Sequence, residues 1–139
     1  MAYQTSRRLR FGDCDPTGFA YFPSYLDILI GVTEDFFIDA GVSWKMLLDE
    51  YDIVTPTVRL DLTFMHPGYY GAMLDFNLRV RKLGRSSLDL EHDISTGGTP
   101  LWQARHRLVA MSRATGKSCT WPKNARASLS LYLENDTNA

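Results

Sequence analysis

One long helical pattern, followed by segments that alternate residue by residue, constrains this chain more than any other feature. From Pro23 to Ala40 the apolar stripe falls at Leu26, Leu29, Ile30, Thr33, Phe36, Phe37 and Ala40, the three-and-four spacing of an amphipathic helix. Ile28, Val32 and Ile38 widen the stripe until the helix is apolar nearly all round. Gly41 stops it, and Ser43 caps a shorter helix running to about Tyr51. Beyond that point the period changes from 3.6 to 2. In Ile53–His66, Val58, Leu60, Leu62 and Phe64 alternate with Arg59, Asp61 and Thr63; Pro67-Gly68 ends the run. Met73–Leu83 and Ser86–Ser95 repeat the alternation on either side of Gly84, and Leu101–Ser112 follows a Gly97-Gly98 hairpin signal. A short strand is expected around Ser118–Trp121, then a helix from Pro122 to near Glu134, then a frayed tail over 135–139. Upstream, Leu9 and Phe11 alternate with Arg8 and Arg10, which suits a first strand over residues 3–12. A helix apolar on nearly every side must be wrapped, and antiparallel strands are the material available. The expected fold is therefore α+β, a sheet around one long helix, in a single domain covering 1–139. A chain of this length buries roughly 68–70% of its unfolded surface, enough for a real core. A lone curled sheet leaves its outer face and edges open, so association of copies is expected.

Composition removes several classes of function. A net charge of −1 and a pI near 6.3 lack the basic excess that nucleic-acid binding needs. Cys14 and Cys119 have no metal-ligand spacing and no secretory context, so reduced thiols in a cytoplasm are expected. No apolar run is long enough to span a membrane, and the N-terminus carries no signal-peptide pattern. Phosphate loops, dinucleotide fingerprints, CxxC pairs, His-Glu-x-x-His and the Gly-x-Ser-x-Gly elbow are all missing from the sequence. His66, His92 and His106 fall on separate expected strands without a ligand pattern, and no metal is expected. Each reads as an ordinary strand histidine; His66, beside Pro67-Gly68, is held in reserve.

Chemistry concentrates in Arg10–Tyr25, RFGDCDPTGFAYFPSY. Asp13 and Asp15 lie two apart, Pro16 follows, and Gly18 comes two residues later. Phe19, Tyr21 and Phe22 then lead into Pro23 at a helix start, where proline is favoured. A helix N-terminus presents free N–H groups and partial positive charge to anions and polarised carbonyls. A carboxylate beside it, walled by rings, has the ingredients of a site. The same residues also make an ordinary Asp-Pro turn with aromatic core beside it, and the local pattern leaves both readings open. Cys14 between two acids would have its thiolate suppressed, so it reads as packing.

The segment resembles the signature of hotdog-fold acyl-CoA thioesterases acting on hydroxybenzoyl-CoA and related aryl thioesters. They share Phe-Gly-Asp-Cys-Asp-Pro-x-Gly followed by Phe/Tyr-Pro-x-Tyr, and residues 11–25 match nearly position for position. The resemblance implies that Asp15 is the catalytic carboxylate, as nucleophile or general base, and that the Phe22 backbone N–H serves the thioester oxygen. Asp13 would hold the loop, and Gly18 would let it approach the thioester. Phe19, Tyr21 and Ile30 would line the acyl site. Lys82, Arg85, Ser86 and Ser87, around Gly84, would meet the coenzyme A phosphates, though a solvated hairpin accounts for the same charges. Related envelope-associated thioesterases carry a His at the helix start; Phe22-Pro23-Ser24 stands here instead and points to the hydroxybenzoyl-type branch. That branch has an acidic residue where Ile30 stands, so an apolar wall suits an unsubstituted aryl group. The implied activity is hydrolysis of an aryl-CoA thioester, of benzoyl-CoA or 4-hydroxybenzoyl-CoA type, by a cytoplasmic homodimer or homotetramer. No cofactor is expected beyond the coenzyme A of the substrate. The alternatives are a non-catalytic CoA- or acyl-binding module, a thioesterase for another short or medium acyl-CoA, and a hotdog dehydratase, which would need a His/acid pair.

Overall fold

A computed structural model describes residues 1–134; the tail expected to fray, 135–139, lies outside the described residues. Seven strands, β1 (Tyr3–Arg8), β2 (Ile53–Val54), β3 (Thr57–Phe64), β4 (Met73–Leu83), β5 (Ser87–Thr96), β6 (Thr99–Val109) and β7 (Met111–Ser112), accompany three helices. The helices are α1 (Phe22–Asp39), α2 (Trp44–Tyr51) and α3 (Lys123–Ser130). Five strands form one antiparallel sheet in the order β1-β4-β5-β6-β3, and β2 pairs separately with β7. The sheet wraps α1, as the sequence led one to expect.

Alternation decides which side of the sheet meets the helix. Leu74, Phe76, Leu78 and Val80 of β4 are buried, as are Leu88, Leu90 and Ile94 of β5 and Trp102, Ala104 and Leu108 of β6. Tyr25 of α1 stacks on Trp102 with ring centroids 4.8 Å apart, and Phe36 meets Tyr3 of β1 at 5.7 Å. The other side is charged. Its centre is Glu91, only 2% exposed, which holds Arg79 at 3.1 Å, Arg81 at 2.9 Å and Gln103 at 2.7 Å. Burial of a carboxylate there is tolerated because its partners come with it.

Several boundaries differ from the sequence reading, each for a local reason. β1 stops at Arg8: Leu9 turns into the core while Phe11, 80% exposed, opens a 3-10 turn over Phe11–Asp13. Ile53–His66 is two strands because it breaks before Pro56, and a bulge between Thr57 and Arg59 leaves Val58 exposed. No strand forms at 118–121 beyond the single bridge Met111–Ser118, since Cys119 N–H donates to Ala110 and Trp121 N–H to Arg85, too scattered for a ladder. α3 ends at Ser130 because Tyr132 and Glu134 hydrogen-bond to Val80 at 3.0 and 2.8 Å along β4. α1 is more one-sided than expected: Tyr25, Leu29, Val32, Thr33, Phe36 and Phe37 are buried, whereas Ile30 and Ile38 are exposed. Among the described residues no helix is long and apolar enough to cross a membrane.

Candidate active site

The acid loop is a tight hairpin whose returning arm runs directly into the start of α1. Asp15 N–H donates to Phe19 O at 2.9 Å, Gly18 N–H to Asp15 O at 3.0 Å, and Tyr21 N–H to Asp13 O at 2.8 Å. Cys14 and Ala20 face each other as bridge partners. Asp15 therefore stands one residue from the bridge on the turn side, and Phe22 two residues from it on the helix side of the returning arm. Gly18 has φ +85° with open space where a Cβ would lie, so within the chain the turn itself demands glycine. Asp13 accepts from Arg10 N–H at 2.8 Å, the loop-holding role expected of it.

Counting donors in the first turn of α1 singles out one group. The N-terminal N–H groups of a helix have no intrahelical acceptor. Tyr21's goes to Asp13 O, Ser24's returns to Tyr21 O at 2.8 Å, and Pro23 has none. Phe22 N–H is left, with no acceptor among the described residues. It sits at the positive end of an 18-residue helix.

Electrostatics divides the loop's titratable groups. Thr17 donates both its hydroxyl and, at 2.9 Å, its backbone N–H to Asp15 Oδ1. Those two bonds, the hydroxyl's first, hold the Asp15 carboxyl below its ordinary range against a smaller upward push from burial. Cys14 moves the other way: burial, then the charges of Asp13 and Asp15, raise its thiol. The loop keeps its carboxylate ionised and its thiol protonated. Thr17 was missed in the sequence, although Asp followed two residues later by Thr is a recognised turn-bonding pattern.

Beside the helix start lies a groove of about 380 Å³ lined by Phe19, Phe22, Tyr25, Phe64, Met65 and His66 with neighbouring backbone. Its far wall, the 65–72 loop, is strapped to the acid loop by Ala20 N–H to Gly68 O at 2.9 Å and Tyr70 N–H to Gly18 O at 3.0 Å. Gly68 is required there, because a Cβ would come within 2.2 Å of the Tyr25 hydroxyl. Tyr21 is exposed at the helix N-cap outside this groove. Ile30, 39% exposed farther along α1, does not line it either.

The expected phosphate-binding residues are elsewhere. β4 begins opposite Arg8, next to the acid loop, and ends at Leu83 beside the Gly84 turn. Its 11 residues separate the two places by roughly 30 Å of strand. At that turn Gly84 N–H donates to Ser87 O at 2.9 Å, Arg126 holds Gly84 O at 2.7 Å, and Arg85 is exposed. Lys82 faces a different groove, on the outer side of the sheet with Arg81, Arg105 and Arg107. Among the described residues no group of three His, Cys, Asp or Glu side chains could hold a metal ion.

A sequence profile of the thioesterase-like superfamily matches residues 9–129. The chain belongs to that superfamily. It is 29% identical over 90 residues to a 1,4-dihydroxy-2-naphthoyl-CoA hydrolase from Acaryochloris marina, covering 65% of this chain and 66% of the relative. Over 91 residues it is 32% identical to the 4-hydroxybenzoyl-CoA thioesterase of Pseudomonas sp., covering 64% of each. The matches thus span just under two thirds of these two relatives. The fold is shared with a 1,4-dihydroxy-2-naphthoyl-CoA thioesterase from Synechocystis at a TM-score of 0.85 and 19% identity, over 94% of this chain and 96% of that one. The thioesterase-like fold accounts for the wrapped helix and places the acid hairpin within the matched region.

Proposed function

We propose that this thioesterase-like chain hydrolyses aryl-CoA thioesters to the free acid and coenzyme A, in the cytoplasm. One observation carries the reading: an ionised carboxylate, Asp15, and an unclaimed N–H, that of Phe22, belong to one hairpin whose returning arm lines an aromatic groove. In the proposed reaction the acyl ring lies in the groove and the thioester oxygen accepts from Phe22 N–H. Charge building on that oxygen would be stabilised by the N–H and the helix end together. A carboxylate held below its usual range is a poor proton acceptor but an always-available nucleophile. Asp15 then attacks the carbonyl carbon, the C–S bond breaks, coenzyme A leaves as thiolate, and water hydrolyses the mixed anhydride, regenerating Asp15. The relatives' aryl-CoA substrates support an aryl acyl group here. The test is thiol release from benzoyl-, 4-hydroxybenzoyl-, 1,4-dihydroxy-2-naphthoyl- and straight-chain acyl-CoAs. Aryl thioesters should have the highest kcat/KM; binding without release would instead identify a non-catalytic acyl-CoA module.

Completing the site is proposed to require a second copy of the chain. Arg85, Ser86 and Ser87 lie a full strand length from Asp15 in one chain, so for both to serve one substrate the turn must come from a partner. Exposed Phe11, Phe19, Tyr21, Phe22, Phe64, Met65, Tyr69 and Tyr70 around the acid loop, with the open edge of β3, supply apolar surface for that contact. Light scattering at micromolar concentration should report a dimer or a tetramer. A fully active monomer contradicts the shared site.

A further inference from the structure

We propose that His66 reads a hydroxyl on the acyl ring, its Nε2 accepting a hydrogen bond from a ring O–H of the substrate. The inference rests on the groove being the acyl site, as argued under the proposed function, and adds the residue that sets ring preference within it.

The groove offers few polar atoms. Of its lining side chains only Tyr25 and His66 carry a nitrogen or oxygen. The Tyr25 hydroxyl is buried against Gly68 and closed to a ligand. His66 is exposed, at the rim where β3 gives way to the 65–72 loop. Its Nδ1 lies 2.9 Å from Pro100 O. A carbonyl oxygen only accepts, so Nδ1 carries the proton, and in the neutral ring Nε2 is left as the acceptor.

The ring is also held in place before any ligand arrives. Met65 N–H and His66 N–H both donate to Leu101 O, at 2.8 and 3.1 Å, so backbone and ring are fixed by the same neighbouring strand start. An acceptor in a fixed position discriminates better than one that must be ordered on binding. Ile30 takes no part in the groove, which leaves His66 as the discriminating polar contact. Because Nε2 accepts and does not donate, it should favour a ring hydroxyl over a methoxy group in the same place. An otherwise apolar wall would separate those two only weakly.

The experiment compares kcat/KM for benzoyl-CoA, its three monohydroxy isomers and their methoxy counterparts. Wild type, His66→Phe and His66→Gln are measured, with thermal melts to confirm folding. Phe keeps a flat ring and removes the acceptor; Gln can restore one. In wild type at least one hydroxy isomer should exceed its methoxy counterpart by about tenfold, the scale of one half-open hydrogen bond. In His66→Phe that ratio should fall to within about twofold, and His66→Gln should recover part of it. Each variant is read as a ratio of substrates, so a general loss of activity cancels. A hydroxy preference that survives in His66→Phe, or no such preference in wild type, overturns the role of His66 while leaving thioester hydrolysis intact. A wild type that hydrolyses no aryl-CoA overturns both readings together.

Discussion

Asp15→Asn is expected to lower kcat/KM for aryl-CoA hydrolysis by about 10²–10⁴-fold while leaving the fold in place. Asparagine keeps an Oδ1 that can accept from the Thr17 N–H and hydroxyl, and the hairpin's backbone bonds do not involve the side chain. What disappears is the negative charge that attacks, or activates water. Thr17→Val provides a companion reading of the same carboxylate. Removing the hydroxyl deletes the largest influence holding Asp15 below its ordinary range, so its pKa rises. Activity depends on the ionised form, so the acid limb of the pH–rate profile should move to higher pH, with little change at neutral pH. Turnover in Asp15→Asn within about threefold of wild type would remove Asp15 from the mechanism.

Stability should fall as pH is lowered from 7 to 5, ahead of ordinary carboxylate titration. His92 and His106 are buried on the inner side of the sheet, ring centroids 5.9 Å apart. His92 lies between Leu78 and Ala104, and His106 between Leu60 and Leu90. His106 Nε2 meets Thr57 Oγ1 at 2.8 Å, while neither His92 nitrogen has a partner. Burial, and for His92 the charge of His106 after it, depresses them to about 3 and about 4. Both rings are therefore neutral in the folded state, and in the unfolded chain they take up protons below about 6.5. Above that pH they contribute no pH dependence. Below it the unfolded state binds more protons, and stability drops by up to about 1.4 kcal/mol per pH unit per ring. For the pair that is about 4 kcal/mol by pH 5, a large share of a typical domain's total. Asp93, raised by burial and by Glu91, acts with the opposite sign but only in the carboxylate range. Urea midpoints at pH 7, 6 and 5 check this, and His92→Leu, which breaks no hydrogen bond, should remove about half the slope. A profile flat to pH 5 in wild type would mean that the rings are solvated or paired.

Legibility in the sequence followed the range of the interactions involved. The Met73–Leu83 alternation gave strand bounds and buried side together, because a period of 2 is fixed within the strand itself. The start of α1 and the acid hairpin were legible for the same reason: Asp-Pro-x-Gly and Pro23 act over a few residues. Phe11 kept the alternation of β1 but lay past the end of its partner, which the pattern cannot reveal. The strap between Gly18–Ala20 and Gly68–Tyr70 joins segments some 50 residues apart, and nothing local announces it. His66 stood out only by ending a strand; its bond to Pro100 depends on β6 arriving alongside. Lys82 and Arg85 are three apart in sequence, yet a bulge between Val80 and Lys82 and the Gly84 turn give them different surroundings.

The most direct measurement is the structure of the Asp15→Asn protein with benzoyl-CoA bound. The thioester oxygen should lie within hydrogen-bond distance of Phe22 N–H, the carbonyl carbon next to the substituted carboxamide, and the ring in the Phe19–Tyr25–Phe64 groove. The coenzyme A phosphates should lie at Arg85 of the partner subunit. A thioester bound away from Phe22, with that carboxamide facing solvent, would remove both Asp15 and Phe22 from the reaction.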